Sequence, residues 1–346
     1  MSLAQEKPLL EVQGLTRGFD IRKGPLRRVV RSFNAVEDVN FSVKRGEVLG
    51  IVGESGCGKS TLARMIVTAI APSAGEIWLD DDEAGGQVDL AALDRTGLKN
   101  ARRRIQMVFQ DPFSSLNPRM SVAQIVGEPL YVNTGLAGAA LRHEVSDLLD
   151  MVGLNPRLMD RFPHAFSGGQ RQRIGLARAL ALRPEILVAD EPVSALDVSV
   201  QAQILNLLDR LKTELGLTYL FISHDLGVVQ HLCDRVMVMY SGRVVETGPT
   251  DRLFSQPAHP YVETLMNAAP SLVPGTLQTR TLAPGEIADP ANRPPGCAFH
   301  PRCVYAQEQC QARRPELKSI ATGHGAVACH LGDELDLQGV VALEAS

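Results

Sequence analysis

Residues 53–61 read Gly-Glu-Ser-Gly-Cys-Gly-Lys-Ser-Thr, a glycine-rich stretch that ends in a lysine and two hydroxyl residues. It follows the apolar run Val-Leu-Gly-Ile-Val at 48–52 and leads into the apolar-periodic run Thr-Leu-Ala-Arg-Met-Ile-Val at 61–67. A glycine-rich turn between a buried strand and a helix is the context of a Walker A phosphate loop. The sequence therefore predicts a site for a nucleoside triphosphate.

The residues of this loop have separate predicted roles. Lys59 reaches the terminal phosphates, the Ser60 hydroxyl binds Mg²⁺, and the glycines let backbone N–H groups close around the phosphates. A glycine-rich turn without a ligand would not explain the Lys-Ser pair. Cys57 is interpreted as a small residue of the loop, with a redox role as the alternative. The predicted phosphate-binding set is Gly53, Ser55, Gly56, Cys57, Gly58, Lys59, Ser60 and Thr61.

Four polar residues beyond the loop are candidates for hydrolysis. The apolar run at 185–190 ends in Asp190, which is predicted to hold Mg²⁺ through water, and Glu191 is predicted to polarise a water for attack on the γ-phosphate. Gln110 follows a strand-like run and would sense Mg²⁺ and that water, while His224 would hydrogen-bond the γ-phosphate. Taken alone, they could equally be a helix cap, a surface amide and a strand-end histidine.

Composition and periodicity indicate one large α/β protein. The chain has 346 residues, 45% of them hydrophobic, and residues 9–260 alternate β-branched runs with amphipathic stretches. The formal net charge of −4 gives no support for wholesale binding to nucleic acid. We find no secretory signal and no apolar run near 18 residues, so we expect a cytoplasmic protein that reaches a membrane only through partners.

The periodicity also predicts individual elements and a domain boundary. A hairpin is expected to turn at Ser241-Gly242. Proline and glycine become frequent after about residue 260, which suggests domains at 1–260 and 261–346. Predicted strands are 47–52, 185–189 and 218–223, and predicted helices are 59–69, 170–182 and 199–215.

The stretch 166–173, Phe-Ser-Gly-Gly-Gln-Arg-Gln-Arg, resembles the signature of ABC ATPases. With Gln110, the Ser-Ala-Leu-Asp run at 194–197 and His224 in the expected order, the resemblance covers residues 9 to about 255. It implies a phosphate-loop NTPase core with an antiparallel β subdomain and a helical subdomain at about 112–175. It also implies ATP and Mg²⁺ as ligands, and a head-to-tail pair of ATPase domains.

In such a pair, the signature of one chain faces the nucleotide held by the other. The resemblance therefore adds Ser167, Gly168, Gly169, Gln170 and Asp197 to the nucleotide-binding residues. It also assigns Phe19, which follows the first strand, to stacking on adenine. The alternative for Phe19 is a residue of the core.

Three further stretches resemble the peptide-importer branch of the family, which includes dipeptide, oligopeptide and nickel importers. They are 111–118, with Asp111, Pro112 and Ser114 to Pro118, then 258–270 and 282–303. The resemblance is to the second, F-type ATPase of the pair. It implies a paralogous ATPase or a homodimer, two permease subunits, a solute-binding protein, and a peripheral position on the cytoplasmic face of the bacterial inner membrane. The alternatives are an importer for nickel or another solute, a soluble non-transport ABC ATPase and an inactive ATP-binding module.

Four cysteines lie in the last fifth of the chain, at Cys297, Cys303, Cys310 and Cys329. Their spacing matches neither zinc ribbons nor bacterial ferredoxins. Four thiols in a short segment with few periodic stretches still suggest a metal that stabilises it. Members of this branch that have matching cysteines resemble proteins that bind a [4Fe–4S] cluster. A [4Fe–4S] cluster is therefore the preferred interpretation of the four cysteines. Zinc and metal-free thiols are the alternatives.

Overall fold

A computed structural model describes residues 7–24, 28–81, 85–111, 114–268, 288–320 and 325–339. Parts of the importer-like stretches, namely residues 112–113, 269–270 and 282–287, lie outside the described residues. Within the described ranges the protein forms two sheets and a group of helices. The strands are β1 Leu10–Lys23, β2 Arg28–Val43, β3 Val48–Val52, β4 Ala74–Asp81, β5 Gly86–Asp89, β6 Ile105–Val108, β7 Ile186–Asp190, β8 Thr218–Ile222, β9 Arg235–Tyr240, β10 Arg243–Pro249, β11 Lys318–Ser319 and β12 Ala326–Val327.

The larger sheet has the strand order β11-β12-β10-β9-β3-β8-β7-β6 in the described part of the chain. Strands β9, β3, β8, β7 and β6 are parallel to one another, and β10 to β12 add antiparallel pairs at one edge. Every residue of β3, β7 and β8 is buried. Continuous apolar runs are typical of parallel strands covered by helices on both faces, so the predicted α/β core is confirmed.

Ten α-helices are described. They are α1 Lys59–Ile66, α2 Arg95–Arg104, α3 Val122–Thr134, α4 Gly138–Met151, α5 Gly168–Leu180, α6 Val198–Leu215, α7 Leu226–Leu232, α8 Thr250–Ser255, α9 Pro260–Ala268 and α10 Glu308–Ala312. The helix predicted over 59–69 is too long by three residues, because Thr68 adopts a φ of 55°. The helix predicted from 170 starts two residues earlier, because Ser167 forms a capping box with Gln170.

Helices α3, α4 and α5 pack together and form the helical part of the molecule. Their contacting faces are aliphatic, with Val122, Val126, Val145 and Leu149 almost fully buried. The predicted helical subdomain is thus present as a group of helices inserted in the chain between β6 and β7.

The smaller sheet has the order β2-β1-β4-β5 and is antiparallel throughout. The hairpin between β9 and β10 turns at Ser241 and Gly242, as predicted, and both residues have positive φ, at 45° and 83°. Two successive positive φ values are typical of the type I′ turn. No helix in the described ranges is long and apolar enough to cross a bilayer.

The segment beyond residue 260 packs directly on the larger sheet. Strand β12 pairs with β10, with Val327 opposite Glu246. The ring of Phe299, which is 1% exposed, lies 5.4 Å from the rings of both Tyr240 and Tyr261. One continuous apolar core therefore includes side chains from both sides of the boundary predicted at 260.

Phe299→Ala should destabilise the whole protein, because the substitution removes an aromatic ring from this shared core. A loss of about 3–5 kcal/mol is expected for a buried phenylalanine. Chemical denaturation followed by circular dichroism measures it. Val304→Ala, at a position 66% exposed on the same segment, is the control and should unfold like the parent. Equal unfolding midpoints for the two variants would show that the segment is not part of the core.

Candidate functional site

The glycine-rich loop at 53–61 connects β3 to α1, as the sequence predicts. The Lys59 ammonium is buried and donates hydrogen bonds to the carbonyl oxygens of Gly53, at 2.6 Å, and Glu54, at 3.0 Å. These two bonds attach the Lys59 side chain to the first two residues of the loop. Burial raises the pKa of the Cys57 thiol, which keeps it neutral. Cys57 therefore fits the role of a small, inert loop residue better than that of a reactive thiol.

Two glycines of the loop have no room for a side chain. A Cβ on Gly53 would lie 2.2 Å from the Met239 carbonyl oxygen, and one on Gly58 would lie 2.4 Å from that of Ala35. Gly58 also has a φ of 108°, a backbone conformation that residues with a side chain rarely adopt. The loop is thus clamped between the β9–β10 hairpin and β2 at the start of α1.

Three polar side chains meet beside this loop because β6, β7 and β8 are parallel neighbours. The Glu191 carboxylate oxygen Oε2 accepts a hydrogen bond from Gln110 Nε2 at 2.8 Å and lies 3.1 Å from His224 Nδ1. Gln110 and His224 each lie two residues beyond a strand, and Glu191 lies one residue beyond. The carboxyl ends of parallel strands meet at one edge of a sheet, which is where ligands bind in such folds.

Glu191 and Asp190 differ in environment although they are adjacent. Asp190 is 5% exposed, and its Oδ1 accepts a hydrogen bond from the Ser60 hydroxyl at 3.2 Å. Burial raises the pKa of Asp190. Glu191 has a φ of 47°, a strained value for a residue with a side chain, of the kind that clusters at functional sites. The structure thus places Ser60 and Asp190 together and turns Glu191 towards Gln110 and His224.

The signature residues lie apart from the loop. Ser167 accepts a hydrogen bond from the Gln170 backbone N–H at 3.4 Å, so the start of α5 is capped. In the described part of the chain, no hydrogen bond or ion pair joins 167–170 to 53–61. Gly168 instead packs near Leu196, close to Asp197 at the start of α6. Within one chain, the described contacts therefore do not join the signature to the loop that contains Lys59.

Phe19 lies on β1 of the smaller sheet and is 37% exposed, so it is not a core residue. The Arg17 guanidinium lies 5.0 Å from the centre of its ring, and the Phe33 ring lies 6.2 Å away. The Phe19 ring is thus partly exposed to solvent, with Arg17 over it and Phe33 beside it.

All four C-terminal cysteines line one cavity of about 20 Å³. Burial raises the pKa of Cys303 to about 11 and that of Cys329 to about 12, and for Cys329 the other three thiols add to the shift. Among the described residues, no group of three or more His, Cys, Asp or Glu side chains is arranged to hold a metal ion. The [4Fe–4S] interpretation and the zinc alternative therefore both lack a metal-binding arrangement among the described residues.

Two residues outside the predicted site, Tyr261 and Arg302, contact the phosphate loop at Glu54. The side chain of Glu54 forms a two-bond ion pair with Arg302, and its backbone N–H donates to the Tyr261 hydroxyl. Tyr261 and Arg302 belong to stretches that served only to identify the importer branch. The sequence did contain a signal for this ion pair. A carboxylate such as that of Glu54 in an anion-binding loop requires a positive charge nearby.

Comparison with known families matches the two parts of the chain separately. The family described as ABC transporter matches residues 36–194. The family described as oligopeptide/dipeptide transporter, C-terminal region, matches residues 245–310. The second match covers Tyr261, Arg302 and three of the four clustered cysteines.

Similar proteins resemble the chain along nearly its full length. A probable peptide ABC transporter ATP-binding protein of Sinorhizobium fredii is 50% identical, over 93% of this chain and 90% of the relative. The oligopeptide transport ATP-binding protein AppF of Bacillus subtilis is 47% identical, over 96% and 99%. The dipeptide transport ATP-binding protein DppF of Escherichia coli is 46% identical, over 95% and 96%.

Solved structures resemble the ATPase part. The dimeric structure of the ATP-binding cassette MJ0796 in a post-hydrolysis state, bound to ADP and Pi, has a TM-score of 0.60 at 30% identity. The match covers 70% of this chain and 98% of that one.

Gly58→Ala should damage the loop more than Gly56→Ala. Both residues have positive φ, which costs an alanine about 1–2 kcal/mol, but only at Gly58 would the new Cβ collide with backbone. Gly58→Ala should therefore weaken nucleotide binding at least about tenfold, and Gly56→Ala much less. Titration with a fluorescent ATP analogue measures both. Equal affinities would show that the clamp at Ala35 does not shape the site.

Proposed function

The chain belongs to the ATP-binding subunits of ABC transporters for dipeptides and oligopeptides, and from this we propose that it binds and hydrolyses ATP to power peptide import. One observation carries the proposal. The side chains of Gln110 and His224 both lie within hydrogen-bonding distance of the Glu191 carboxylate, beside the phosphate loop. The three residues are 33 or more positions apart in sequence.

The loop residues supply the binding of the nucleotide. Backbone N–H groups at the start of α1 face the phosphates, and the Lys59 ammonium adds a positive charge that needs only a small movement from the carbonyls it now contacts. The exposed ring of Phe19 offers a stacking surface for the adenine.

Ser60 and Asp190 are the residues that would hold Mg²⁺. Their oxygens lie 3.2 Å apart, and Mg²⁺ in phosphoryl-transfer sites is commonly held by one or two protein oxygens, with phosphates and water completing its shell. When bound, Mg²⁺ neutralises charge that develops on the phosphates.

Glu191 is the proposed general base. Its carboxylate would accept a proton from the water that attacks the γ-phosphate, and the Gln110 amide would help to orient that water. His224, on the other side of the carboxylate, would donate a hydrogen bond to the γ-phosphate. Phosphoryl transfer needs mainly such positioning and charge stabilisation.

The signature supports a head-to-tail dimer. Ser167, Gly168, Gly169 and Gln170 form a second helix N-terminus suited to phosphate, yet they lie away from the site of their own chain. We therefore assign them, with Asp197, to the nucleotide held by a partner ATPase, which is either a paralogous subunit or a second copy of this chain. Two permease subunits and a periplasmic or extracellular solute-binding protein would complete the importer, with the ATPases peripheral on the cytoplasmic face of the bacterial inner membrane.

We also propose a division of the chain into an ATPase domain at 1–260 and a cysteine-rich extension at 261–346. The four cysteines of the extension would hold a [4Fe–4S] cluster with a structural or redox-sensing role. Their convergence on one cavity supports this, since such clusters are held by four thiolates. The cavity has room for about one water, so the cysteine side chains would have to move apart around a cluster.

Glu191→Gln should keep ATP binding and lose hydrolysis, because the amide cannot accept the proton. A fall in phosphate release of at least about 100-fold is expected, with the closed dimer accumulating in ATP. Glu214→Gln, at an exposed position on α6, is the control and should match the parent. Lys59→Ala should instead lose binding itself. Hydrolysis at the parent rate by Glu191→Gln would refute the assignment of the base.

Iron and acid-labile sulfide should be present in protein purified without oxygen, at about four atoms of each per chain. Cys303→Ser and Cys310→Ser should lose most of both. Cys233→Ser, which changes a buried cysteine outside the cluster, should retain them. Stoichiometric zinc without sulfide, or neither metal, would overturn the iron–sulfur proposal while leaving the ATPase assignment intact.

A further inference from the structure

An ion pair joins the C-terminal extension to the phosphate loop. The Arg302 guanidinium donates to both carboxylate oxygens of Glu54, at 2.8 and 3.0 Å. The Arg302 side chain is 8% exposed and that of Glu54 is 20% exposed. Paired hydrogen bonds of this geometry are strong and directional, so the position of Glu54 depends on Arg302.

A second contact reaches the same loop residue. The Glu54 backbone N–H donates to the Tyr261 hydroxyl at 2.8 Å. Tyr261 is fully buried, and its ring packs against Tyr240 and Phe299. The Arg302 guanidinium itself lies 5.6 Å from the centre of the Phe299 ring. Both the side chain and the backbone of Glu54 are therefore held by the extension.

Glu54 is a carboxylate in a loop that binds anions. It is the second residue of the loop, and its carbonyl oxygen accepts a hydrogen bond from Lys59. An unpaired negative charge there would repel the phosphates and compete with them for the Lys59 ammonium, most strongly where water is excluded. The Arg302 charge removes this repulsion.

Other ion pairs attach the extension to the body of the protein. Arg293 pairs with Glu37 on β2, and Arg314 lies 3.4 Å from both Glu37 and Asp38. The docking of the extension thus has support independent of Arg302, and a variant at this residue should still fold.

We propose that Arg302 is a positioning residue of the nucleotide site, which neutralises Glu54 and fixes the phosphate loop for ATP. The nucleotide affinity of the ATPase is then set partly by the C-terminal extension. The inference rests on the proposed function only in that the loop binds ATP.

The test compares Arg302→Met with Arg314→Met in the full-length chain, by calorimetric titration with ATP and ADP. Arg302→Met should bind ATP about tenfold more weakly than the parent, and the loss should be smaller for ADP, which carries less charge. Arg314→Met, which loses another ion pair of the extension, should bind both nucleotides as the parent does.

A rescue experiment distinguishes charge neutralisation by Arg302 from a purely structural role of its ion pair with Glu54. Adding Glu54→Gln to Arg302→Met should restore ATP affinity to within about threefold of the parent, because the repelling charge is gone. Glu54→Gln alone, in which Arg302 remains, should bind ATP at least as tightly as the parent, and it tests the idea even if Arg302→Met unfolds.

Three results would overturn the inference: parent-like ATP affinity in Arg302→Met, no rescue in the double variant, or weakened binding in Glu54→Gln alone. A parent chain that binds no ATP would be a different outcome, because it would refute the proposed function itself.

Discussion

The parallel pairing of β3, β8, β7 and β6 is the constraint on which the rest of the site depends. It sets the loop after β3 beside the residues that follow the other three strands, although β3 and β8 are more than 160 residues apart in sequence. Strands β3, β7 and β8 are buried at every residue, so a slip in register would draw polar strand-end residues into the apolar core. Burial of these strands therefore holds Gln110 and His224 within hydrogen-bonding distance of Glu191.

The C-terminal extension is continuous with this core. Its strand β12 belongs to the same sheet, and Phe299 packs against Tyr240 and Tyr261. The Tyr261 hydroxyl in turn accepts a hydrogen bond from Glu54 of the phosphate loop. A segment with few long periodic elements of its own gains stability by sharing the core of a larger domain. The same arrangement places Arg302 against Glu54, so the extension directly contacts the loop proposed to bind the nucleotide.

The cysteines illustrate how a metal prediction depends on geometry. Their spacing in sequence did not distinguish iron–sulfur from zinc or from free thiols. In the fold the four side chains line one cavity, yet the described residues form no set arranged around a single ion. The four thiols lie together, but their arrangement favours neither the [4Fe–4S] interpretation nor the zinc alternative over the other.

By itself the sequence determined the α/β class, the phosphate loop, the central strands, the hairpin at Ser241-Gly242 and the identity of the polar residues at the strand ends. These follow from local patterns: a glycine-rich turn, buried runs and turn residues with positive φ. The packing of the fold was needed to show that Gln110 and His224 share the Glu191 carboxylate and that Arg302 pairs with Glu54. Those contacts join residues 33 to 248 positions apart, and local patterns carry no information about which distant side chains the packing of a sheet will bring together.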